Sequence, residues 1–394
     1  MAHDHARFGS LLHAYGRADD TPGHLAALAG GDPQARDAAL GHLWSAVMHQ
    51  GTPWTVTPPA AAAVAALLAD PRPAAPLDAG LRSNLLSFLA AVAESAQPGF
   101  DAAELAAMAH PPGRDVDAAL AAGEADDEEI WADEELANAL YARALLGCRE
   151  VVPTLLAAAV PLLGDPDATV RAAAAHAVTA CATALGPGAD PGPLGARLST
   201  AASTAGPDER AALVLAMGEL GLAPREYLDD PHPGVRACAA LAPALADDPA
   251  ATAELLAALD DPKATEHWFA RRPPQLRGHI RFALVAAAVD RVERPERLLP
   301  AALAIAAHAG PHTARSDWGP LLHAIFAPGS VPGTGGALSA AQRHYLHALV
   351  ANDNLWDPRN GSVGLVFRDA GLPHDREACR AMATAAAPPD PGPR

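Results

Sequence analysis

The side chains that most readily do chemistry in this chain are its 17 histidines. Three close pairs could hold a metal ion: His3 and His5, His308 and His312, and His344 and His347. None of these pairs lies in an H-E-x-x-H pattern or beside a cysteine that would complete a set of ligands. Paired histidines on helices are commonly solvated or capping groups, so the sequence predicts no metal site.

The patterns of nucleophilic and phosphate chemistry are also missing. The chain contains no G-x-S-x-G, no convincing pair of catalytic carboxylates, and no Cys/His arrangement that spacing alone would support. The glycine-rich stretch 329–339 has no Gly-Lys-Ser/Thr after it and no strand before it, which is typical of a loop. Catalytic groups can converge from distant positions, but these absences favour a non-catalytic protein without a cofactor.

An acidic run, GEADDEEIWADEE, covers residues 123–135, and eight of the twelve residues from Glu124 to Glu135 are acidic. One hypothesis makes this run a docking surface for a basic partner, with a tryptophan as its anchor. The side chains of that surface would be Asp127, Glu128, Trp131 and Glu134. The alternative places the acids in the first turns of a helix over 128–147, where the helix dipole favours them.

The segment 261–282, DPKATEHWFARRPPQLRGHIRF, inserts an irregular stretch between two predicted helices, as binding loops of repeat proteins do. Seven arginines from Arg271 to Arg297 stand against three acids and form a positive patch. The patch could bind a carboxylate, a phosphate or an acidic peptide. Its candidate contacts are His267, Trp268, Arg271, Arg272, Arg277 and Arg281. Arg277 and Arg281 are expected to share a helix face. Alternatively, these arginines neutralise the acids of a neighbouring repeat.

Composition narrows the range of partners. The 394 residues carry a formal net charge of −18, and only 4% of them are aromatic. This charge repels nucleic-acid phosphates and anionic membranes, and it suits another protein with a basic surface. The N-terminus lacks the pattern of a signal peptide, and no stretch has the length and flanks of a membrane span. Four dispersed cysteines are expected to be buried and reduced, so we expect a cytoplasmic protein.

The elements that must position these side chains are predicted to be helices. From Val170 onward, apolar residues recur at offsets 3, 4, 7, 8, 11 and 15, which is one face of a helix. Almost no stretch alternates at period two, so the chain is predicted to be all-α. The predicted helices include 5–14, 128–147, 153–163, 167–185, 234–246 and 276–291.

Two stretches repeat one pattern, GDPDATVRAAAAHAVTACATAL at 164–185 and DDPHPGVRACAALAPAL at 229–245. Each has Asp-Pro, a short turn, Val-Arg and an alanine-rich helix, and six residues separate Asp165 from Arg171 and Asp230 from Arg236. Aspartate can accept backbone N–H bonds and proline suits the first turn, so Asp-Pro is expected to begin each helix. Weaker copies lie at 206–221 and 30–47.

This pattern resembles the HEAT repeat, including the bacterial relatives first described in bilin lyases. The resemblance implies a right-handed α-solenoid of stacked helical hairpins, in which the Asp and Arg residues of neighbouring repeats pair along a ladder. The ladder residues would be Asp165, Arg171, Asp230 and Arg236. The solenoid is expected over 1–327, with its strongest repeats at 150–260, followed by a C-terminal helical cap over 328–387 and a disordered tail over 388–394.

A solenoid offers a long curved surface, so its natural ligand is another polypeptide. The sequence therefore favours a non-catalytic scaffold or adaptor that binds proteins through an acidic surface. A narrower alternative is an immunity or inhibitor protein that neutralises a cationic toxin or enzyme. The other alternative is an enzyme on the same fold, since some HEAT-like solenoids are DNA glycosylases or bilin lyases. A glycosylase would need a basic groove, which the overall charge disfavours.

Overall fold

The computed structural model describes residues 8–97, 99–122, 132–186, 191–326, 338–357 and 359–385. These residues are mostly helical, which confirms the all-α prediction. The strands that they contain pair in two short ladders, Leu12–His13 with Gly16–Arg17 (β1 and β2) and Met48–His49 with Thr52–Pro53 (β3 and β4). The chain divides into two compact units, Met1–Leu220 and Gly221–Arg394. This division lies inside the predicted solenoid 1–327.

The described part of the first unit contains ten α-helices. They are α1 (Thr21–Ala29), α2 (Pro33–His42), α3 (Thr57–Ala69), α4 (Ala79–Ser95), α5 (Ala102–Ala109), α6 (Val116–Ala122), α7 (Glu134–Ala159), α8 (Ala168–Leu185), α9 (Gly192–Ala202) and α10 (Pro207–Glu219). Helix α8 packs against α4, α7 and α10, and α7 also packs against α3 and α5. The core of this unit is therefore centred on α8.

Helix α8 is buried on more than the single face that the sequence predicts. Every residue from 172 to 182 is buried, and most of them are alanines. Because alanine lets helix axes approach closely, neighbouring helices can cover α8 on several sides. The exception on the predicted face is Leu185, which is 42% exposed at the end of the helix.

Three predicted helix boundaries are wrong. In the described part of 5–14, Leu12–His13 form a strand of a hairpin in which Gly16 has a φ of 111° that favours glycine. The helices predicted at 128–147 and 153–163 are joined in α7, which continues through Pro153. The helix predicted to begin at 276 begins at Ile280, just after Gly278, because glycine is a poor helix former.

Helix α7 and the 3-10 turn after it, Glu134–Gly164, are long and apolar enough to cross a membrane, judged by length and composition. A core helix of a soluble protein meets the same criterion. Here Arg143 donates to the Ala109 carbonyl at 3.1 Å, and Arg149 donates to the Ala96 carbonyl at 3.1 Å. These bonds and the packing against α3, α5 and α8 tie the helix to the rest of the unit.

The second unit begins at Gly221 and contains nine α-helices in its described part. They are α11 (Pro233–Ala240), α12 (Pro249–Leu259), α13 (Pro262–Thr265), α14 (Ile280–Arg291), α15 (Leu299–Ala306), α16 (Trp318–Ile325), α17 (Ala340–Ala351), α18 (Gly361–Asp369) and α19 (Arg376–Thr384). Helix α12 packs against α11 and α14, and α17 packs against α15 and α19. Near the C-terminus, the Phe367 ring lies 5.8 Å from Trp318 and 5.1 Å from Trp356, measured between ring centroids.

The Asp-Pro pairs of the two strong repeats precede their helices instead of beginning them. The Asp165 carboxylate accepts the Asp167 amide at 2.9 Å, and Asp167 is the N-cap of α8. In the second copy, Asp230 accepts the His232 amide at 2.8 Å, and His232 is the N-cap of α11. Each Asp-Pro pair therefore forms a turn that delivers the chain to a cap two residues later.

A feature that the sequence does not reveal recurs at the start of five helices. Each has an arginine four residues after its N-cap, and the guanidinium donates to the carbonyl of the residue before the cap. The arginines and acceptors are Arg82 and Leu77 in α4, Arg171 and Pro166 in α8, Arg210 and Ala205 in α10, Arg236 and Pro231 in α11, and Arg343 and Leu338 in α17. We call this arrangement the entry arginine. It fixes the direction from which the chain enters a helix.

In three cases the entry arginine also binds an acid from another element of the same unit. Arg82 donates to Asp165 at 3.1 Å, and Arg171 donates from two nitrogens to Glu209 at 2.6 and 2.7 Å. In the second unit, Arg236 donates to Glu254 at 3.0 Å. Within a repeat, Arg171 and Arg236 reach the main-chain carbonyls of Asp165 and Asp230. Arg171 and Arg236 therefore take glutamates from α10 and α12 as their acid partners, instead of the aspartates of the ladder that the resemblance implies. Asp165 does pair with an arginine of another element, Arg82.

Replacement of Arg171 by alanine is expected to lower the free energy of unfolding by about 2–3 kcal/mol, because the Glu209 carboxylate is almost fully buried and would lose its charged partner. Arg197→Ala is the control, since Arg197 donates one bond to the Val160 carbonyl at an exposed position. Urea denaturation of both variants measures the difference. Equal losses would contradict a special role for the entry arginine.

Candidate functional site

The predicted binding segment of the second unit is irregular chain between α13 and α14. Four of its candidate contacts are exposed, namely His267, Arg271, Arg272 and Arg277, and Trp268 is half-buried. Arg271 and Arg277 also interact within the protein. An indole and three guanidinium groups therefore lie in one irregular segment, and its role in binding stays a prediction.

Phe269 anchors this segment on α11. Its ring lies so close to Gly234 that a Cβ atom at that position would be 2.6 Å from the ring atoms Cε1 and Cζ. The His232 ring lies on the same side, 6.0 Å from the Phe269 ring between centroids. Because glycine leaves space for the ring, the segment is held at Phe269 while the arginines around it reach solvent.

Arg281 is not part of the exposed patch, which corrects its predicted role as a binding residue. The residue is only 8% exposed, and its guanidinium contacts Glu266 and donates to Asp317 at 3.2 Å. Arg277 precedes the start of α14 at Ile280, so the two arginines do not share a helix face. Arg281 lies on α14 and binds Asp317, the N-cap residue of α16, so this ion pair links the two helices inside the unit.

Most of the predicted acidic surface, including Asp127, Glu128 and Trp131, lies outside the described residues. Glu134 is described, and it is exposed in the first turn of α7. The sequence of Met1–Leu220 contains 27 acidic residues and 11 arginines, whereas Gly221–Arg394 contains 19 acidic and 17 basic residues. The negative charge of the protein therefore belongs almost entirely to the first unit.

A cluster of titratable side chains that sequence spacing did not reveal lies at the N-terminal end of the first unit. His13 Nε2 lies 3.1 Å from Asp20 Oδ1, and His42 Nδ1 lies 3.8 Å from Asp20 Oδ2. Both histidines are buried, whereas the Asp20 side chain is 55% exposed. The His24 ring stacks on His42 with 4.2 Å between centroids. The hairpin and the α1–α2 pair bring these distant residues together.

The environment of this cluster changes the pKa of two members. Burial lowers the pKa of His42 to about 4, against the opposing effect of the Asp20 charge. Burial alone would raise the pKa of Asp20, but the charges of His42 and His13 hold it below its usual value. At neutral pH the His42 imidazole is therefore neutral beside an ionised carboxylate.

Two further carboxylates, Glu94 and Glu219, interact electrostatically where α8 packs against α4 and α10. Glu219 Oε2 accepts a hydrogen bond from Thr179 Oγ1 at 2.7 Å, and His176 Nε2 lies 3.5 Å from Glu94 Oε1. Glu219 is exposed when the whole residue is considered. The helices around it nevertheless desolvate its carboxylate. This desolvation and the charge of Glu94 raise the pKa of Glu219 to about 7, although the bond from Thr179 opposes the shift.

An open groove of about 1240 Å³ lies in the first unit, against the N-terminal hairpin, α1, α3 and α7. Its floor is formed largely by proline, alanine and leucine side chains. Arg17 in its wall donates to the Gly9 and Leu120 carbonyls at 3.1 and 2.8 Å, and Arg143 donates to the Ala109 carbonyl at 3.1 Å. These arginines hold main-chain segments in place.

Comparison of the chain with protein-family models, with curated proteins and with solved structures gives no match. The resemblance to HEAT repeats therefore depends on the chain's own residues. Those residues are the two Asp-Pro turns and the Val-Arg helix starts that follow them. Function has to be inferred from charge, exposure and contacts.

Arg281→Ala is expected to lower the free energy of unfolding by about 3–5 kcal/mol, because it leaves the buried Asp317 carboxylate without its partner. Arg272→Ala removes an exposed arginine nearby and should change stability by less than about 0.5 kcal/mol. Chemical denaturation of the full chain measures both. A small effect for Arg281→Ala would mean that the buried ion pair does not form.

Glu219→Gln is expected to stabilise the protein at pH 8 more than at pH 5. A carboxyl whose pKa rises from 4.5 to about 7 on folding stabilises the native state fully below the unfolded value, and this contribution is lost as the pH rises through 7. The neutral glutamine avoids that loss. Thermal unfolding at both pH values measures the effect, and the exposed Glu150→Gln is the matched control.

Proposed function

We propose that the chain is a HEAT-like α-solenoid that acts as a non-catalytic scaffold and binds another protein with a basic surface. The observation that carries the proposal is the entry arginine, which recurs at the same position in five helices of the two units. Four of these five helices lie within the predicted solenoid 1–327, and a helix start that recurs in one form supports a repeated structural unit. Repeats of this kind present long surfaces suited to polypeptides.

The charge distribution supports a basic partner. The first unit has 16 more acidic residues than arginines, since its sequence contains 27 acids and 11 arginines. A surface of one sign accelerates the encounter with a partner of the opposite sign and suppresses binding to nucleic acids. The acidic run around Glu134 is the densest part of this charge, so we assign it the first contact with the partner.

The segment anchored by Phe269 supplies a second kind of contact. Its exposed arginines can bind carboxylates on the same partner, and the half-buried Trp268 offers an aromatic surface beside them. Arginine and tryptophan are enriched among the residues that dominate binding energy at protein interfaces. All four cysteines are buried free thiols, which suits a reducing cytoplasm.

The test begins with crosslinking mass spectrometry of the endogenous complex, which identifies the partner and the residues that it contacts. Binding of the purified partner is then measured as a function of salt for wild type and for the variant Asp127→Asn/Glu128→Gln/Glu134→Gln. We expect this variant to slow association by about tenfold at low salt and to weaken the salt dependence of binding. The reason is that charges at the rim of an interface mainly change the rate of association.

The matched control is Glu226→Gln/Asp260→Asn/Asp369→Asn, which changes the net charge equally but replaces exposed acids of the second unit. It should associate almost as fast as wild type. A dissociation constant that is insensitive to salt, or equal effects of the two triple variants, would refute recognition through the acidic surface of the first unit.

A further inference from the structure

Three side chains from separate elements of the first unit direct potential metal ligands at one point. His13 belongs to β1, Asp20 precedes α1, and His42 is the last residue of α2. One nitrogen or oxygen atom from each lies within 4.8 Å of the others. We propose that these residues form a Zn²⁺ site that ties the N-terminal hairpin to α1 and α2.

The distances suit a tetrahedral zinc ion. Ligand atoms at ordinary zinc distances from a tetrahedral ion lie about 3.3–3.5 Å from each other. The two measured separations, 3.1 Å from His13 Nε2 to Asp20 Oδ1 and 3.8 Å from His42 Nδ1 to Asp20 Oδ2, lie on either side of that value. The exposed Asp20 side chain can rotate to bring both into range. Two imidazoles with one carboxylate favour zinc over calcium or magnesium, which prefer oxygen ligands.

The surrounding groups orient the ligands. His42 Nε2 lies 2.9 Å from the buried Thr21 Oγ1, which leaves Nδ1 directed at Asp20. A hydrogen bond to the distal nitrogen commonly fixes the ring of a metal-binding histidine. Asp20 is the N-cap of α1, but its side chain makes no capping hydrogen bond there. The carboxylate can therefore bind an ion without uncapping the helix.

His13 must change its protonated nitrogen to bind zinc. Its Nδ1 accepts a hydrogen bond from the Tyr15 amide at 3.0 Å, so the metal-free ring carries its proton on Nε2. Nε2 then donates a hydrogen bond to Asp20. When zinc binds Nε2, the proton moves to Nδ1 and the Tyr15 amide turns to solvent. Tyr15 is 60% exposed at the turn of the hairpin, where water can replace the lost bond.

The site has three protein ligands and one open coordination position. Asp20 is its most exposed ligand, so the open position lies toward solvent and takes a water molecule. His24 stacks parallel to His42 and cannot bind the same ion without rotating. The ion would hold the hairpin to the packed pair of α1 and α2.

The test measures binding of Zn²⁺ to the full chain by isothermal titration calorimetry, together with the melting temperature with and without the ion. His3 and His5 are replaced by asparagine in every sample so that they do not contribute ligands. We expect one ion per chain and a rise in melting temperature, because the ion binds the folded state. Asp20→Asn should weaken binding by about tenfold or more, because an amide oxygen is a poorer zinc ligand than a carboxylate.

Asp19→Asn is the matched control, since Asp19 is an exposed neighbour outside the cluster. The two variants should melt at similar temperatures without metal, because asparagine can still accept the hydrogen bond from His13. The proposal is overturned if the His3→Asn/His5→Asn protein binds no Zn²⁺ at about 100 µM, where zinc sites are saturated. It is also overturned if Asp19→Asn and Asp20→Asn bind the ion equally well.

Discussion

The bond from the entry arginine to the carbonyl before its helix is the constraint on which the packing of this protein depends. An alanine-rich helix such as α8 approaches its neighbours closely, but its surface has few distinctive shapes to fix one register over another. Directional hydrogen bonds from a guanidinium group fix the register that alanine packing leaves open. Where the same group also clamps a glutamate, as Arg171 does with Glu209, the turn, its helix and a neighbouring helix are fixed together.

Because alanine packing and guanidinium bonds hold the helices together, exposed side chains remain available for binding. Many acids of the first unit cap helices or pair with arginines, whereas others, such as Glu134 and Glu150, are exposed. The second unit is nearly neutral by comparison and carries an exposed segment with arginines held by Phe269. The two units therefore differ in the charge of their sequences.

The N-terminal histidine cluster and the Glu94–Glu219 pair illustrate a second consequence of close packing. Where helices approach through small side chains, the few large polar groups between them are brought into contact and partly desolvated. In one case the outcome is a neutral imidazole beside a carboxylate, and in the other it is a carboxyl that titrates near neutrality. Both sites are formed by packing, and neither shows a local sequence pattern.

The sequence by itself determined the helical class and the burial of the four cysteines, because these follow from periodicity and polarity. It misplaced Arg281 and the helix at 5–14, and it gave no sign of the His13–Asp20–His42 cluster. Tertiary structure decided these features, because a buried arginine is recognised only by the acids that surround it. Ligand atoms from a hairpin and two helices likewise meet only after the chain has folded. Periodicity describes one helix at a time, whereas a site depends on the relation between helices.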